Sequence, residues 1–246
     1  MNIKSDKEII FEEYTSNYDM SDSEIYYKYY HSYRVMDAMS LLATKLNLSV
    51  KDIELAKIIG LFHDIGRFEQ DKRYNSFNDI KMDHGNYGIE VLKENKILNK
   101  LNMEPSDHEV VYKAIKNHNK FAIEPNLNER ELLFSKLIRD ADKLDILYAL
   151  GNEDIKGILR QDEEQISKSI EKSYFSEVPA NTKESNSHND GIVITFCYIY
   201  DINFKETYQI IYENKYYQKI YNRLNRKDIF EKYLVYTNKY IKERID

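Results

Sequence analysis

The chain has 246 residues, of which 42% are hydrophobic and 32% are charged, so it can bury a core and is too apolar to be disordered. Only 7 Gly and 3 Pro occur, which disfavours a turn-rich β-sandwich or β-barrel and favours long helices. The net charge is −6 with acidic and basic residues interleaved, so no basic stripe indicates dedicated binding of nucleic acid.

A single cysteine, Cys197, excludes a disulfide framework and a thiolate metal site. The first residues of the chain are polar and do not resemble the apolar core of a signal peptide. The longest apolar run, Ile192 to Tyr200, is too short to span a bilayer. We therefore expect a cytoplasmic protein that has no membrane partner.

The first predicted helix carries a histidine on its apolar face. Ser21 and Glu24 have the spacing of a capping box, and apolar residues then recur at helical period until Asn47, which ends the helix. His31 lies on this apolar stripe, so we expect its side chain to point into the core.

The second predicted helix leads into a histidine–aspartate pair. It begins at Ser49, and its apolar face leads to His63-Asp64. Gly66 then allows the chain to leave the helix and turn. The polar stretch Asp71–Asp83 is predicted to be a loop.

Three further helices are predicted before residue 151. One begins near His84-Gly85, the next begins at Pro105-Ser106 and ends at His118, and the third covers Glu129–Leu150. Asp140 lies on the apolar face of the third helix, among leucines at spacings of three and four.

The remaining third of the chain is predicted to be a loop followed by helices. Ser176–Asp190 is rich in Ser, Asn and Pro and is interpreted as a mobile loop, whereas Ile192–Asp246 has a helical pattern. By β-propensity alone, Ile192–Thr195 could instead form a strand. Without a repeat or a clear linker, we predict one all-α domain over residues 1–246, with a core at about 25–150 and a C-terminal helical extension at about 151–246.

The positions of the histidines are the feature of the sequence that indicates a chemical function. Four of the 6 histidines fall at helix faces or helix ends that could converge, and these are His31, His63, His84 and His118. A carboxylate such as Asp140 on an apolar face costs free energy unless it is paired or bound to metal. Imidazole and carboxylate ligands together suit a first-row divalent ion.

Each of these residues also has an ordinary structural interpretation when it is taken alone. A single His31 is more often a satisfied core residue, and Asp140 could pair with a neighbouring lysine or arginine. The ordinary interpretation is weaker for the set as a whole, because every one of these residues would have to occur in this order in one chain by coincidence. His108 and His188 are interpreted as solvated surface residues that have no role.

The order of these residues resembles the HD-domain superfamily, whose members are metal-dependent phosphohydrolases of all-helical fold. That family has a His, then an adjacent His-Asp pair, then a distant Asp, and the resemblance covers about residues 25–150. It implies that a first ion is held by His31, His63, Asp64 and Asp140.

The resemblance extends to those branches of the family that carry two metal ions. His84 and His118 are similar to their extra histidines, which implies that these two bind a second ion and that Asp64 bridges the pair. The expected cofactors are one or two divalent ions, with manganese or iron first and zinc, cobalt, nickel or magnesium as alternatives.

The function implied is hydrolysis of a phosphate ester or anhydride of a small molecule, with a nucleotide as the expected partner, by attack of metal-bound hydroxide. Asp64, Arg67 and Lys143 form the predicted catalytic set, in which the two cations could reach a phosphate oxygen. Each cation could equally form a surface ion pair. The stretch after His118 has no Gly-Tyr-Pro element, which argues against the cyclic-dinucleotide phosphodiesterase branch.

Two other functions remain open. The same ligands could form a di-iron centre that oxygenates a diol or a phosphonate. The metal could also stabilise a helical module that has no catalytic activity. The substrate, the oligomeric state and the roles of residues 176–190 and of the C-terminal helices are not encoded in any motif.

Overall fold

Helices form nearly all of the regular structure in a computed structural model, which describes residues 4–153, 159–163 and 165–246. No strand occurs among the described residues, so the prediction of an all-α protein is confirmed. None of the helices in this part of the chain combines the length and apolarity that a membrane crossing requires.

The chain forms two compact units, Met1–Asp142 and Lys143–Asp246, and passes from one to the other within a single long helix. The helices of the first unit, ending with that shared helix, are α1 (Asp6–Thr15), α2 (Ser23–Lys45), α3 (Val50–Phe62), α4 (Ile65–Tyr74), α5 (His84–Glu94), α6 (Ile97–Lys100), α7 (Pro105–His118) and α8 (Glu129–Asn152). The sequence placed the limit of the core at about residue 150, whereas the compact units divide after residue 142. That the two units form one domain stays a prediction.

The predicted helix starts are close to the observed ones because their capping residues act as expected. Ser49 accepts a hydrogen bond from the backbone N–H of Asp52 at the start of α3, and Pro105 is the first residue of α7. The N-cap of α2 is Asp22 rather than Ser21, and its carboxylate accepts from the N–H of Glu24 at 2.7 Å.

The chain turns at His63 and Asp64 and not at Gly66, which lies inside α4. A Cβ atom on Gly66 would lie 2.3 Å from the carbonyl oxygen of His84 and 2.8 Å from the backbone nitrogen of Gly88. The missing side chain therefore serves close packing of α4 on α5, and this packing carries His84 towards Asp64.

A second close approach sets α2 against α3. A Cβ atom on Gly60 would lie 2.8 Å from Cα of Met36, so the two backbones pack almost directly on one another. The core beside this crossing contains Val35, Met39 and Ile59, none of which is exposed. The packing brings His31 of α2 to the end of α3, where His63 follows.

The second unit contains the remaining helices, α9 (Lys168–Phe175), α10 (His188–Cys197), α11 (Lys205–Glu213), α12 (Tyr216–Asn222) and α13 (Lys227–Ile245), with short 3₁₀ helices at Thr182–Glu184 and Tyr198–Asp201. Residues 192–195 belong to α10, so the alternative of a strand is wrong. Ile192, Val193 and Phe196 are all buried, and the packing of these side chains in the core outweighs the β-propensity of the β-branched residues. The predicted loop of residues 176–190 is shorter than expected because α10 already begins at residue 188.

Candidate metal centre

Imidazole rings from four places in the chain meet around the carboxylate of Asp64. His31 lies in α2, His63 follows α3, His84 is the first residue of α5 and His118 is the last residue of α7. All four histidines and Asp64 are buried, with at most 5% of their surface exposed. The helix ends and the α2 face that the sequence analysis selected therefore converge in one place.

One group of ligand atoms forms on the Oδ2 side of Asp64. The Nε2 atoms of His31 and His63 lie 3.2 Å apart, and each lies 3.5 Å from Oδ2 of Asp64. Oδ1 of Asp142 completes the group, at 3.2 Å from Nε2 of His31 and 3.8 Å from Nε2 of His63. His31, His63 and Asp142 are close enough to share one metal ion.

A second group forms on the Oδ1 side of the same carboxylate. The Nε2 atoms of His84 and His118 lie 2.9 Å apart, and they lie 3.2 and 3.3 Å from Oδ1 of Asp64. Asp64 therefore turns one oxygen to each pair of histidines, which is the geometry of a bridging ligand.

Asp142, and not Asp140, supplies the second carboxylate of the first group. The two residues lie on α8 and are separated by about 200° around the helix axis, because each residue turns an α-helix by about 100°. Asp140 is completely buried, whereas the side chain of Asp142 is 20% exposed. The ligand predicted from the sequence, Asp140, lies in the middle of the apolar stripe of α8, but the histidines contact Asp142 at the edge of that stripe.

Backbone carbonyl groups orient two of the imidazole rings. Nδ1 of His63 donates to the carbonyl oxygen of Gly60 at 2.8 Å, and Nδ1 of His118 donates to that of Ile115 at 2.6 Å. Burial lowers the pKa of His63 to about 3 and also lowers the pKa of His118, so both rings are neutral near pH 7. A neutral ring that donates from Nδ1 keeps its lone pair on Nε2, which faces Asp64 in both cases.

The third oriented ring is held by a carboxylate that the sequence analysis did not select. Nδ1 of His84 lies 2.6 Å from Oδ1 of Asp79, in the loop before α5. Burial works to raise the pKa of Asp79, but the contacts with His84 and Arg67 outweigh burial and hold this pKa below its ordinary value. A metal-binding histidine commonly donates its other ring N–H to such a carboxylate.

The arrangement fits divalent metal ions. Nε2 of His84 and Nε2 of His118 lie 2.9 Å apart, and two lone pairs repel one another at this distance unless a cation or a proton lies between them. When bonds from metal to nitrogen are about 2.1 Å long, neighbouring ligands of an octahedron are about 3.0 Å apart. Buried imidazoles and carboxylates are ligands that manganese, iron and zinc all accept.

Lys28 contributes a positive charge that the sequence analysis missed. Its ammonium group lies 2.6 Å from Oδ2 of Asp64, and its side chain is 15% exposed. Burial alone would raise the pKa of Asp64, but Lys28 and the surrounding histidines hold it well below its ordinary range. Lys28 lies three residues before His31 in α2, and this spacing on one helical face is the signal that could have identified it.

Of the two predicted catalytic cations, Arg67 lies beside the site. Its Nε is 3.8 Å from Oδ1 of Asp64, while its NH1 atom donates to the side chains of Gln70 and Asp79 and to the carbonyl oxygen of Phe77. Arg67 therefore also fixes the loop between α4 and α5.

Lys143 belongs to the second unit. There its ammonium group pairs with Asp201 at 2.6 Å. Its catalytic role stays a prediction.

His108 and His188, the two histidines for which no role is predicted, lie outside both ligand groups. His108 is partly buried and its ring contacts the carbonyl oxygen of Met103 at 3.2 Å, and His188 is exposed at the start of α10.

Comparison with known proteins agrees with this geometry. Residues 29–147 match the HD domain, a family of helical domains that bind divalent metals and are typical of metal-dependent hydrolases. No curated protein and no solved structure matches the chain. The matched range contains every residue of the two ligand groups. The sequence match, the helical fold and the histidine–aspartate cluster together identify residues 29–147 as a domain of the HD-domain superfamily.

Proposed function

We propose that this chain is a metal-dependent phosphohydrolase that cleaves a phosphate ester or anhydride of a small molecule. One observation carries the proposal: Asp64 turns Oδ2 towards His31 and His63 and Oδ1 towards His84 and His118. In this assignment His31, His63 and Asp142 would hold one ion, His84 and His118 would hold another, and Asp64 would contribute an oxygen to each. Divalent ions held there would polarise a phosphate oxygen and lower the pKa of a water molecule.

The charge around the site supports an anionic substrate. The ammonium group of Lys28 and the guanidinium group of Arg67 both lie close to the ring of Phe77, at 5.7 and 5.6 Å from its centroid. Each cation is 15% exposed, so neither is fully sealed in the core. We assign these cations the task of binding and orienting phosphate oxygens beside Asp64.

The Nε atom of Arg67 is the group placed to bind a phosphate oxygen. This Nε is buried and has no hydrogen-bond partner among the described residues, although it faces Asp64 from 3.8 Å. A phosphate oxygen that entered the site could accept a hydrogen bond from this atom. The contacts of NH1 with Phe77 and Asp79 hold the guanidinium group in place for it.

The proposal is tested by a screen of phosphate release. Metal-free protein is loaded with Mn²⁺ or Fe²⁺ and incubated with nucleotides, which are the expected substrate class, and with generic phosphodiesters. We expect hydrolysis by the wild type, none by Asp64→Ala, and unchanged hydrolysis by His108→Ala, which removes a histidine outside both groups. Full activity in a folded Asp64→Ala variant would overturn the proposal.

The same metal-loaded protein distinguishes the two other candidate functions from hydrolysis. Two irons per chain, with oxygen consumption and no phosphate release, would support a di-iron oxygenase instead. A protein whose melting temperature falls on chelation, and which turns over none of the phosphate esters, would support a non-catalytic module.

A further inference from the structure

The end of α7 is held by a buried arginine from α8. Arg139 is only 3% exposed, and its NH1 atom donates to the carbonyl oxygens of Asn117, His118 and Lys120 at 2.8, 3.4 and 2.6 Å. Its NH2 atom reaches the carbonyl oxygen of Phe121 at 3.5 Å. The last carbonyl groups of a helix have no partner within the helix, and a cation with several N–H groups satisfies several of them at once.

This contact bears on the second ligand group because His118 is the last residue of α7. Its ring is tied to the same turn, since Nδ1 donates to the carbonyl oxygen of Ile115 at 2.6 Å. If the turn loosens, Nε2 moves away from Asp64 and His84. Arg139 donates to backbone carbonyl groups of this turn, so it acts on the position of Nε2 through the backbone of α7.

Further contacts join the same turn to the start of α5. The side-chain amide of Asn119 lies 3.3 Å from both Asp83 and Nδ1 of His84, and Lys120 forms an ion pair with Asp83. His84 and His118 are therefore held by one connected set of contacts. His31 and His63 of the first ligand group lie in α2 and after α3, outside this turn.

We propose that Arg139 is a positioning residue for the second metal ion, which it holds in place by fixing the turn of α7 that carries His118. The inference rests on the proposed two-ion site. It makes binding of the second ion separable from binding of the first, because Arg139 holds the turn that carries His118, whereas His31 and His63 lie in α2 and after α3.

The chain offers a matched control on the same helix. Arg130, in the first turn of α8, pairs with Asp107 near the start of α7 and with Asp52 of α3. Arg130→Met thus removes a charged contact between α8 and α7 at the end of α7 that lies far along the chain from His118. Arg139→Met removes the contact at the His118 end.

The test is a titration of metal-free protein with Mn²⁺, followed by metal content and by electron paramagnetic resonance. The wild type should bind two ions whose spins are coupled. Arg139→Met should weaken the second ion about 10–100-fold, the usual cost of losing an outer-shell partner, and should show the spectrum of isolated Mn²⁺ with the first ion unchanged. Arg130→Met should keep the coupled spectrum, even where its melting temperature falls.

If Arg139→Met does not fold, Arg139→Lys decides, because it keeps the charge with fewer donors and should weaken the second ion by a smaller factor. Coupled spectra in the Arg139 variants, or equal loss of the second ion in the Arg130 control, would overturn the inference and leave the proposed function standing. A wild type that binds a single ion would overturn the inference and the two-ion site together, whatever its hydrolytic activity.

Discussion

The ammonium group of Lys28 lies 2.6 Å from Oδ2 of Asp64, the oxygen that Asp64 turns towards His31 and His63. A divalent ion bound to this oxygen would repel the ammonium group, because like charges a few ångströms apart repel one another in a buried site. Lys28 is therefore the counter-ion of Asp64 in the metal-free chain, and it would compete with a metal ion for this oxygen.

Lys28→Met should bind the first ion more tightly and hydrolyse substrate more slowly. The lost contact is a charge-assisted hydrogen bond, and its removal should raise the affinity by about tenfold, equivalent to about 1.4 kcal/mol. Hydrolysis should slow because a cation beside the phosphate is lost. The affinity is measured against a competing chelator, with Lys45→Met at the exposed end of α2 as the control. A weaker first ion in Lys28→Met would contradict this competition.

Asp142→Asn should weaken metal binding, whereas Asp140→Asn should lower the stability of the fold. Asp142→Asn removes a charged oxygen at 3.2 Å from His31 and should weaken the first ion by more than the roughly 10–100-fold that loss of an outer-shell partner costs. Asp140→Asn changes a fully buried carboxylate and should lower stability by about 1–3 kcal/mol while the ion affinity stays unchanged. Metal titration and thermal unfolding of both variants measure the difference. Loss of the ion from Asp140→Asn alone would restore the original assignment.

The ligand histidines could be predicted from sequence because each marks a helix face or a helix end. Residue type and helical period are enough to place His63 after an apolar helix and His118 at the end of another. The choice between Asp140 and Asp142 depends on how α8 is rotated against α2 and α3, and a periodic pattern does not contain that rotation. It finds the centre of the apolar stripe, whereas the ligand lies at its edge.

The residues that support the ligands were harder to predict for a different reason. Asp79 lies in a polar stretch between helices, and only the folded loop brings it within 2.6 Å of His84. Gln70 is buried in α4 and holds that loop by donating to the carbonyl oxygen of Met82 at 2.6 Å. Contacts of this kind follow from tertiary packing, so composition and spacing alone cannot reveal them.

The metal-free protein should lose stability as the pH falls below about 6.5. The folded chain holds the pKa of His63 at about 3, well below the ordinary 6.5, so the unfolded chain takes up a proton in this range that the folded chain does not. Stability should therefore fall towards acid pH by up to about 1.4 kcal/mol per pH unit for this residue. The lowered pKa of His118 acts in the same direction.

The carboxylates of Asp64 and Asp142 do not add to this pH dependence of stability above about pH 5. The pKa values of Asp64 and Asp142 are lowered in the folded chain, so both groups are ionised in the folded and unfolded states above about pH 5. Melting temperatures from about pH 7.5 to about pH 5 measure the slope. His63→Asn should flatten it, and His188→Ala, at an exposed position, should leave it unchanged. A melting temperature that does not vary with pH would contradict the prediction.

Gly66→Ala should destabilise the first unit and weaken the second ion, although it adds a single methyl group. The new Cβ would lie 2.3 Å from the carbonyl oxygen of His84, a backbone atom that cannot rotate away, so α4 and α5 must separate. Overpacking of this kind costs about 1–3 kcal/mol. The separation moves His84 relative to Asp64, so we expect loss of the second ion before the first.

The matched control for this change is Gly191→Ala in α10. Nothing lies within 4 Å of the Cβ atom that would be added there, and the residue is exposed inside a helix. Alanine is the better helix former by roughly 0.5–1 kcal/mol, so this variant should be slightly more stable than the wild type. Thermal unfolding and Mn²⁺ titration of both variants measure the contrast. A Gly66→Ala protein that melts at the same temperature as the wild type and binds both ions would contradict the prediction. Such a result would show that α5 can shift without moving His84, and that the close packing of α4 on α5 is not what positions the second ligand group.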